Sequence, residues 1–447
     1  MSEKMSEKKW KLSDWVCLGL SLPVGVWMFL SVYGVTGNLA FIWRALVSLA
    51  VAGVTAFVLT LGLRVFNREK ASILASVLSI AAGMLAGFVL LLLLNPAHAV
   101  NGFELILTTA VASTEKLAKM LYQTAPLLMC GLSVGFAFKT GLFNIGATGQ
   151  YTMGSFLALA AVIQLRCPWY VALVFAMVGG ALMGAIPGIC KALFNVNEVI
   201  TSIMFNWITM YLVNMLINNM PQMISNSWGS SRVKDRTVLL VDKVFAEYNP
   251  HAVLPKGQMA EWMNSSYINI GIFLAIGFAI VVWFILQKTT FGYELKACGY
   301  NRHASQYAGI NAKRNIVLSM MIAGGLAGIG GGIYFLSGAA QYTLIKALLP
   351  TGFNGIPAAL LAGSHPIGII FSALFISYIQ VGGDALQPHF IKENIEIIIA
   401  TIIYLSAFAL LLKGWIGKLF MRRQKDNANM EENTPVSSTG EEGEAGV

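Results

Sequence analysis

Hydrophobic positions in this chain gather into long continuous blocks, without the fine alternation of polar and apolar residues that a soluble fold shows. Twelve apolar runs lie near residues 15–36, 42–63, 72–94, 121–138, 148–165, 169–190, 199–220, 267–287, 315–336, 346–362, 366–382 and 395–412. A helix of about 20 residues crosses roughly 30 Å of hydrocarbon and satisfies its backbone amides internally, so each run reads as a membrane span. Several runs are short or interrupted by Gly and Pro. The pattern predicts an all-α, polytopic transmembrane bundle of about 10–12 helices, some of them broken half-helices.

Polar sequence separates the spans unevenly. Residues 1–14 form a basic lead, and the hairpin 15–63 stands apart from the later spans. Residues 221–266 are a sizeable insertion punctuated by Pro221, Gly229, Pro250, Pro255 and Gly257, with weak strand-like runs such as Thr237 to Val241. A loop covers 288–314. The tail 416–447 is acidic from 426 onward, with five Glu and one Asp among small polar residues, and cannot bury enough to fold.

Composition agrees: 56% of the residues are hydrophobic and 11% charged, a balance unsuited to a soluble domain of this length. The net charge of +9 comes from cations that flank spans, which excludes a nucleic-acid reading and sets an orientation instead. With the N-terminus inside, 19 of the 30 Lys and Arg fall in the cytoplasm, ten outside, and Arg44 within a span. The expectation is a multi-pass protein of the plasma or inner membrane with both termini cytoplasmic and 221–266 extracellular. Cys17, Cys130, Cys167, Cys190 and Cys298 have no metal spacing, and neither a metal nor a cofactor is expected.

The chain has no phosphate-binding loop, so it does not hydrolyse ATP itself, and no catalytic residue is assigned. The glycines Gly324, Gly325 and Gly328 to Gly332 read as helix-packing positions. Apart from Cys and Tyr, ionisable groups are nearly absent from the spans between 72 and 336, which disfavours a proton-coupled carrier. Pathway candidates are therefore neutral: Phe143, Asn144 and Gln150, Asn206 with Thr209 and Asn214 along one helix beside Trp207 and Tyr211, and Phe353 with Asn354. Amides offer donors and acceptors to a solute's hydroxyls, and aromatic faces stack on planar rings. The competing role for such amides is hydrogen bonding between helices. Thr140-Gly-Leu-Phe-Asn-Ile-Gly146 also resembles Thr351-Gly-Phe-Asn-Gly-Ile-Pro357, a candidate inverted repeat for which chance similarity is the alternative.

The 288–314 loop is polar but organised. Asn301 suits a helix N-cap and Gly309 a C-terminal stop, and between them Ala304, Tyr307 and Ala308 share one face. Such a short cytoplasmic helix suits a groove on another protein.

Gly141-Leu-Phe-Asn-Ile-Gly-Ala-Thr-Gly-Gln150 and the loop from Gly292 to Ile310 resemble the permease subunits of bacterial simple-sugar and nucleoside ABC importers, relatives of the branched-chain amino-acid permeases. The similarity runs from about 72 to 415, and the wording of Phe138 to Gly146 and Asn301 to Gly309 points to the nucleoside branch. The resemblance implies that the loop is a coupling helix seated in a cleft of the ATPase, with Glu294, Ala304, Tyr307, Ala308 and Gly309 as the contact residues. It implies one or two ATPase subunits, a second permease in a homo- or heterodimer, an extracellular solute-binding lipoprotein, and a nucleoside as solute. Thr148 stands where many relatives have Glu, so no role of that carboxylate carries over. A simple-sugar permease and a self-sufficient secondary transporter are the alternative readings.

Overall fold

The computed structural model describes residues 70–225, 236–238, 240–241, 243–387 and 389–407; the lead 1–14, the hairpin 15–63 and the tail 416–447 lie outside the described residues. From 72 onward each predicted run folds as a helix. These are α1 (Lys70–Leu94), α3 (Thr114–Lys139), α4 (Ala147–Ile163), α5 (Trp169–Phe194), α6 (Glu198–Asn218), α9 (Gly271–Lys288), α12 (Ala312–Phe335), α13 (Pro350–Leu361), α14 (Pro366–Asp384) and α15 (Lys392–Ala407). Unpredicted are α2 (Pro96–Thr108) and, within the insertion, the single turns α7 (Lys243–Tyr248) and α8 (Gly257–Trp262). In the loop lie α10 (Thr290–Tyr300) and α11 (Arg302–Tyr307). Among the described residues the strand-like run at Thr237 makes an isolated bridge to Ile224.

Among the described residues, six helices are long and apolar enough to cross a membrane: α3, α5, α6, α9, α12 and α14. Shorter helices complete the bundle, with α4 at 17 residues and α13 at 12. The chain is a multi-pass, all-α membrane bundle.

Helix α12 is the central element, running in contact with α4 and α5. Its glycines make this possible: a Cβ on Gly328 would stand 2.9 Å from the Gly180 Cα, and one on Gly324 would stand 3.0 Å from the Gly184 Cα. In lipid, where apolar burial between helices gains little, backbone-to-backbone approach through small residues is what joins helices. The expected packing role of this glycine cluster is what the structure shows.

The packing is exchanged between two similar sets of four helices. The long helices α3 of the first set (α3–α6) and α12 of the second (α12–α15) pack on each other; α3 also packs on α13 and α14, and α12 on α4 and α5. This repeat of helix order does not follow the seven-residue likeness noted in the sequence. Residues 140–146 are the irregular link ahead of α4, but 351–357 lie inside α13, because Pro350 occupies the first helical turn and starts the helix there.

Two faces result. One gathers the α3–α4 link, the α5–α6 link with its Lys191–Glu198 ion pair, and α10–α11. The Lys139 ammonium, which donates to the Gly363 carbonyl at 3.3 Å, brings the α13–α14 turn there as well. The opposite face gathers the insertion, where the Tyr248 hydroxyl donates to the Ile163 carbonyl at 3.2 Å and the Asn249 amide to the Val162 carbonyl at 3.0 Å.

Candidate functional site

The α3–α4 link turns back into the bundle and holds a closed amide cluster. Asn144 and Gln150, both buried, exchange hydrogen bonds: Asn144 Nδ2 donates to Gln150 Oε1 at 2.8 Å, and Gln150 Nε2 donates to Asn144 Oδ1 at 3.0 Å. Asn144 Nδ2 also donates to Ser133 Oγ on α3 at 3.0 Å. From α6, Asn206 Oδ1 accepts the Gly149 backbone N–H at 2.8 Å, and its Nδ2 donates to the Ile145 carbonyl at 3.1 Å. Asn206 thus caps the first turn of α4 from another helix, satisfying an amide that has no partner within its own helix. The cleft between α4, α5 and α6, lined by Gln150, Met183, Ser202 and Asn206, is too narrow for a water molecule.

Sequence reasoning placed aromatic rings beside these amides, and the structure corrects this for α6. Asn206, Thr209 and Val213 are buried, whereas Trp207 and Tyr211 stack on each other with centroids 6.4 Å apart on the exposed side. At 100° per residue, neighbours in sequence leave the helix in different directions. Phe143 is half-buried and packs on Phe138 at 4.9 Å. Phe353 and Asn354 are half-buried in the first turns of α13, which packs on α4. Four of the six predicted pathway residues, Phe143, Asn144, Gln150 and Asn206, therefore share the α4 entry, and the other two lie on the helix against it.

The loop forms the short capped helix that its sequence predicts, and ahead of it the unpredicted α10. Asn301 caps α11, its Oδ1 accepting from the His303 and Ala304 amides at 3.0 and 3.1 Å, and Gly309 ends the turn with φ +78°. Ala304, Tyr307 and Ala308 are exposed, Tyr307 at 94%. Glu294 does not join that face. It is half-buried on α10 and accepts from Asn315 Nδ2 of α12 at 3.3 Å, which fastens α10 to the core.

One connection was not anticipated from sequence. Gly299, near the end of α10, lies against the α3–α4 link so closely that a Cβ there would stand 2.7 Å from the Thr140 carbonyl carbon and 2.8 Å from the Gly141 nitrogen. Gly141 itself has φ +72°, a conformation that favours glycine. The Thr140 hydroxyl is also hydrogen-bonded to Ser319 on α12. A rigid contact thus runs from the exposed α11 through α10 to the link that carries Asn144. The signal available in the sequence was a glycine just ahead of the Asn301 cap.

An all-α membrane bundle with a closed neutral cluster at its centre and an exposed capped helix on one face has the form of a transport permease. The family described as "Branched-chain amino acid transport system / permease component" matches residues 116–408, and the chain belongs to it. The family is one of transport components, not enzymes. The nucleoside ABC transporter permease protein NupB of Lactococcus lactis subsp. cremoris is 34% identical over 362 residues, covering 79% of this chain and 95% of that protein. The guanosine ABC transporter permease protein NupP of Bacillus subtilis is 32% identical over 359 residues, covering 79% and 98%. NupQ, a second guanosine ABC transporter permease protein of Bacillus subtilis, is 26% identical over 313 residues, covering 67% and 91%. No solved structure matches the chain.

The cap made by Asn206 yields a direct expectation. Asn206→Leu leaves the Gly149 N–H without its acceptor and should destabilise the purified chain by about 1–3 kcal/mol, seen as a lower Tm. Trp207→Leu, on the exposed face, should leave the Tm unchanged, and equal Tm values for the two variants would remove the cap from the account.

Proposed function

We propose that this chain is the membrane-spanning subunit of an ABC importer for nucleosides, powered by a separate ATPase. The similarity to NupB and NupP over nearly their whole lengths carries this reading. Two different guanosine permeases in Bacillus subtilis, NupP and NupQ, favour a second, non-identical permease as partner here, and an extracellular binding protein delivers the solute. A simple-sugar permease has weaker support, in a glucose ABC transporter permease protein of Haloferax volcanii that is 28% identical over 374 residues. Against a self-driven carrier, the helices α4, α5, α6 and α9 carry no carboxylate or histidine inside their apolar length that would bind a coupling proton.

The mechanism follows from the connection between α11 and the amide cluster. The exposed Ala304–Tyr307–Ala308 face docks in the ATPase. Movement on ATP binding reaches Gly299 through α10, and Gly299 displaces the Thr140–Gly146 link. That motion separates Asn144, Gln150 and Asn206, whose amides then face the solute in place of each other. Two arrangements of one packed cluster, biased from outside, supply alternating access.

The face bearing α10 and α11 is cytoplasmic in this reading, since Lys288, Lys296, Arg302, Lys313 and Arg314 cluster there. In a cysteine-free background, Cys at His251 should react with an impermeant thiol reagent in intact cells and Cys at Gln306 should not. Reversed labelling would invert the orientation.

Reconstituted with its ATPase, second permease and binding protein, the chain should import nucleosides in an ATP-dependent manner without ion gradients. Nucleoside monophosphates should be excluded, because their phosphates would be buried without a counter-charge. Monophosphate uptake at a comparable rate would refute the solute assignment.

Ala308→Arg places a long charged side chain in the docking face and should abolish co-purification of the ATPase at normal membrane abundance. Gly309→Val forces a β-branched residue into φ +78° and should reduce uptake strongly. Wild-type uptake by Ala308→Arg would show that α11 is not the coupling element.

A further inference from the structure

Two short helices begin inside the bundle, and their first turns meet there. The entry to α4 lies beside Ser133, which is six residues and so about 9 Å along α3 from Lys139 at the face. In α13, Gly352 touches Thr148 of α4, while Gly363 just past its end meets Lys139. Gly352 is therefore about 16 Å inward from that face. Both helices direct the unsatisfied N–H groups and partial positive charge of their N-termini towards this junction.

Unpartnered hydroxyls lie at the same place. Thr148 is 0% exposed and Tyr151 1%, and neither oxygen has a hydrogen-bond partner. The Thr148 hydroxyl is pressed against Gly352, in the space that any side chain there would fill. The Tyr151 hydroxyl, one turn on, faces the Thr351 side chain in the first turn of α13. A buried hydroxyl without a partner costs stability, and a hydroxyl that serves only packing would lose nothing by becoming a methyl. Neither α4 nor α13 contains a cation, so a full negative charge would meet only the partial charges of the two N-termini. Converging donors without a full charge call for a neutral acceptor.

We infer that the junction of α4 and α13, with Thr148 and Tyr151 as its donors, is a solute-binding site that holds a neutral oxygen, either a sugar hydroxyl or a ring carbonyl. The inference rests on the import function proposed above. In the closed arrangement Gly352 covers the Thr148 hydroxyl. Separation of the two first turns exposes both hydroxyls and the free amides to one oxygen atom of the solute.

Thr148→Val is the test, because it removes the hydroxyl and keeps the shape. The complete transporter in proteoliposomes is given a nucleoside and analogues that each lack one oxygen: the 2′-deoxy, 3′-deoxy and 5′-deoxy forms, and a base without its carbonyl. The readout is the ratio of uptake between parent and analogue, in which the binding protein's own preference cancels when variant and wild type are compared. Thr148→Val should keep ATPase co-purification and an equal or higher Tm, yet lose roughly fivefold of the discrimination at one of these oxygens. Thr148→Ser should restore it, and the affected analogue distinguishes a sugar hydroxyl from a ring carbonyl. Unchanged ratios, an equal loss for every analogue, or failure of Thr148→Val to assemble would overturn the site. If the wild type carries no nucleoside, the import reading fails separately, and the same ratio read on simple sugars and their deoxy forms still decides the site.

Discussion

The architecture depends on one constraint: α12 must lie against the backbones of α4 and α5. Gly324 and Gly328 on α12 and Gly180 and Gly184 on α5 bring main chains to distances that no side chain permits. Close approach of this kind replaces the hydrophobic drive that water would supply to a soluble bundle. It also fixes α4 in depth and rotation, since Gly154 of α4 meets Gly328 of the same α12. With α4 held on that side, its first turn remains free to be gripped by Asn206 from α6 and Gly352 from α13. The polar centre is thus placed by packing that is itself apolar.

The exchange of long helices between the two halves has a mechanical consequence. Because α3 packs on α12, α13 and α14, and α12 also on α4 and α5, neither half can tilt without carrying a helix of the other. The α3–α4 link and α10–α11 lie outside the exchange. These are the elements joined by Gly299 and Gly141. A contact between two glycine backbones has no side chain to yield, which suits it to the coupling role proposed for α10 and α11.

Much of this was legible in the sequence, for identifiable reasons. Span positions follow from the need of a backbone in lipid to bond within its own segment, which forces long apolar runs into view. The Asn301 cap and the Gly309 stop are local signals, and each appears where local chemistry requires it. What was not legible depends on three-dimensional neighbours. Trp207 follows Asn206 in sequence yet faces the other way, and the Gly352–Thr148 and Gly299–Thr140 contacts join residues more than 150 positions apart. The helix α2 was missed because 13 residues are too few to span and its apolar pattern is interrupted by His98, Asn101 and Glu104.

Neutral amides suit a gate that must both hold and release. The cluster contains five hydrogen bonds among Ser133, Asn144, Ile145, Gly149, Gln150 and Asn206. At roughly 0.5–1.5 kcal/mol net each, the closed arrangement is favoured by about 3–7 kcal/mol before any compensation from solute or water. A gap of a few kcal/mol keeps the open form a minor population yet lets a partner with modest differential affinity invert it. A buried ion pair in the same position would behave differently, because parting it exposes two uncompensated charges in a low-dielectric core. Amides also exchange partners without a change of charge, so the groups that close the path are the groups that can receive a polar, uncharged solute when it opens. In the proposed gate, the absence of charged side chains from α4 and α13 lets the same chemistry set its depth and its selectivity.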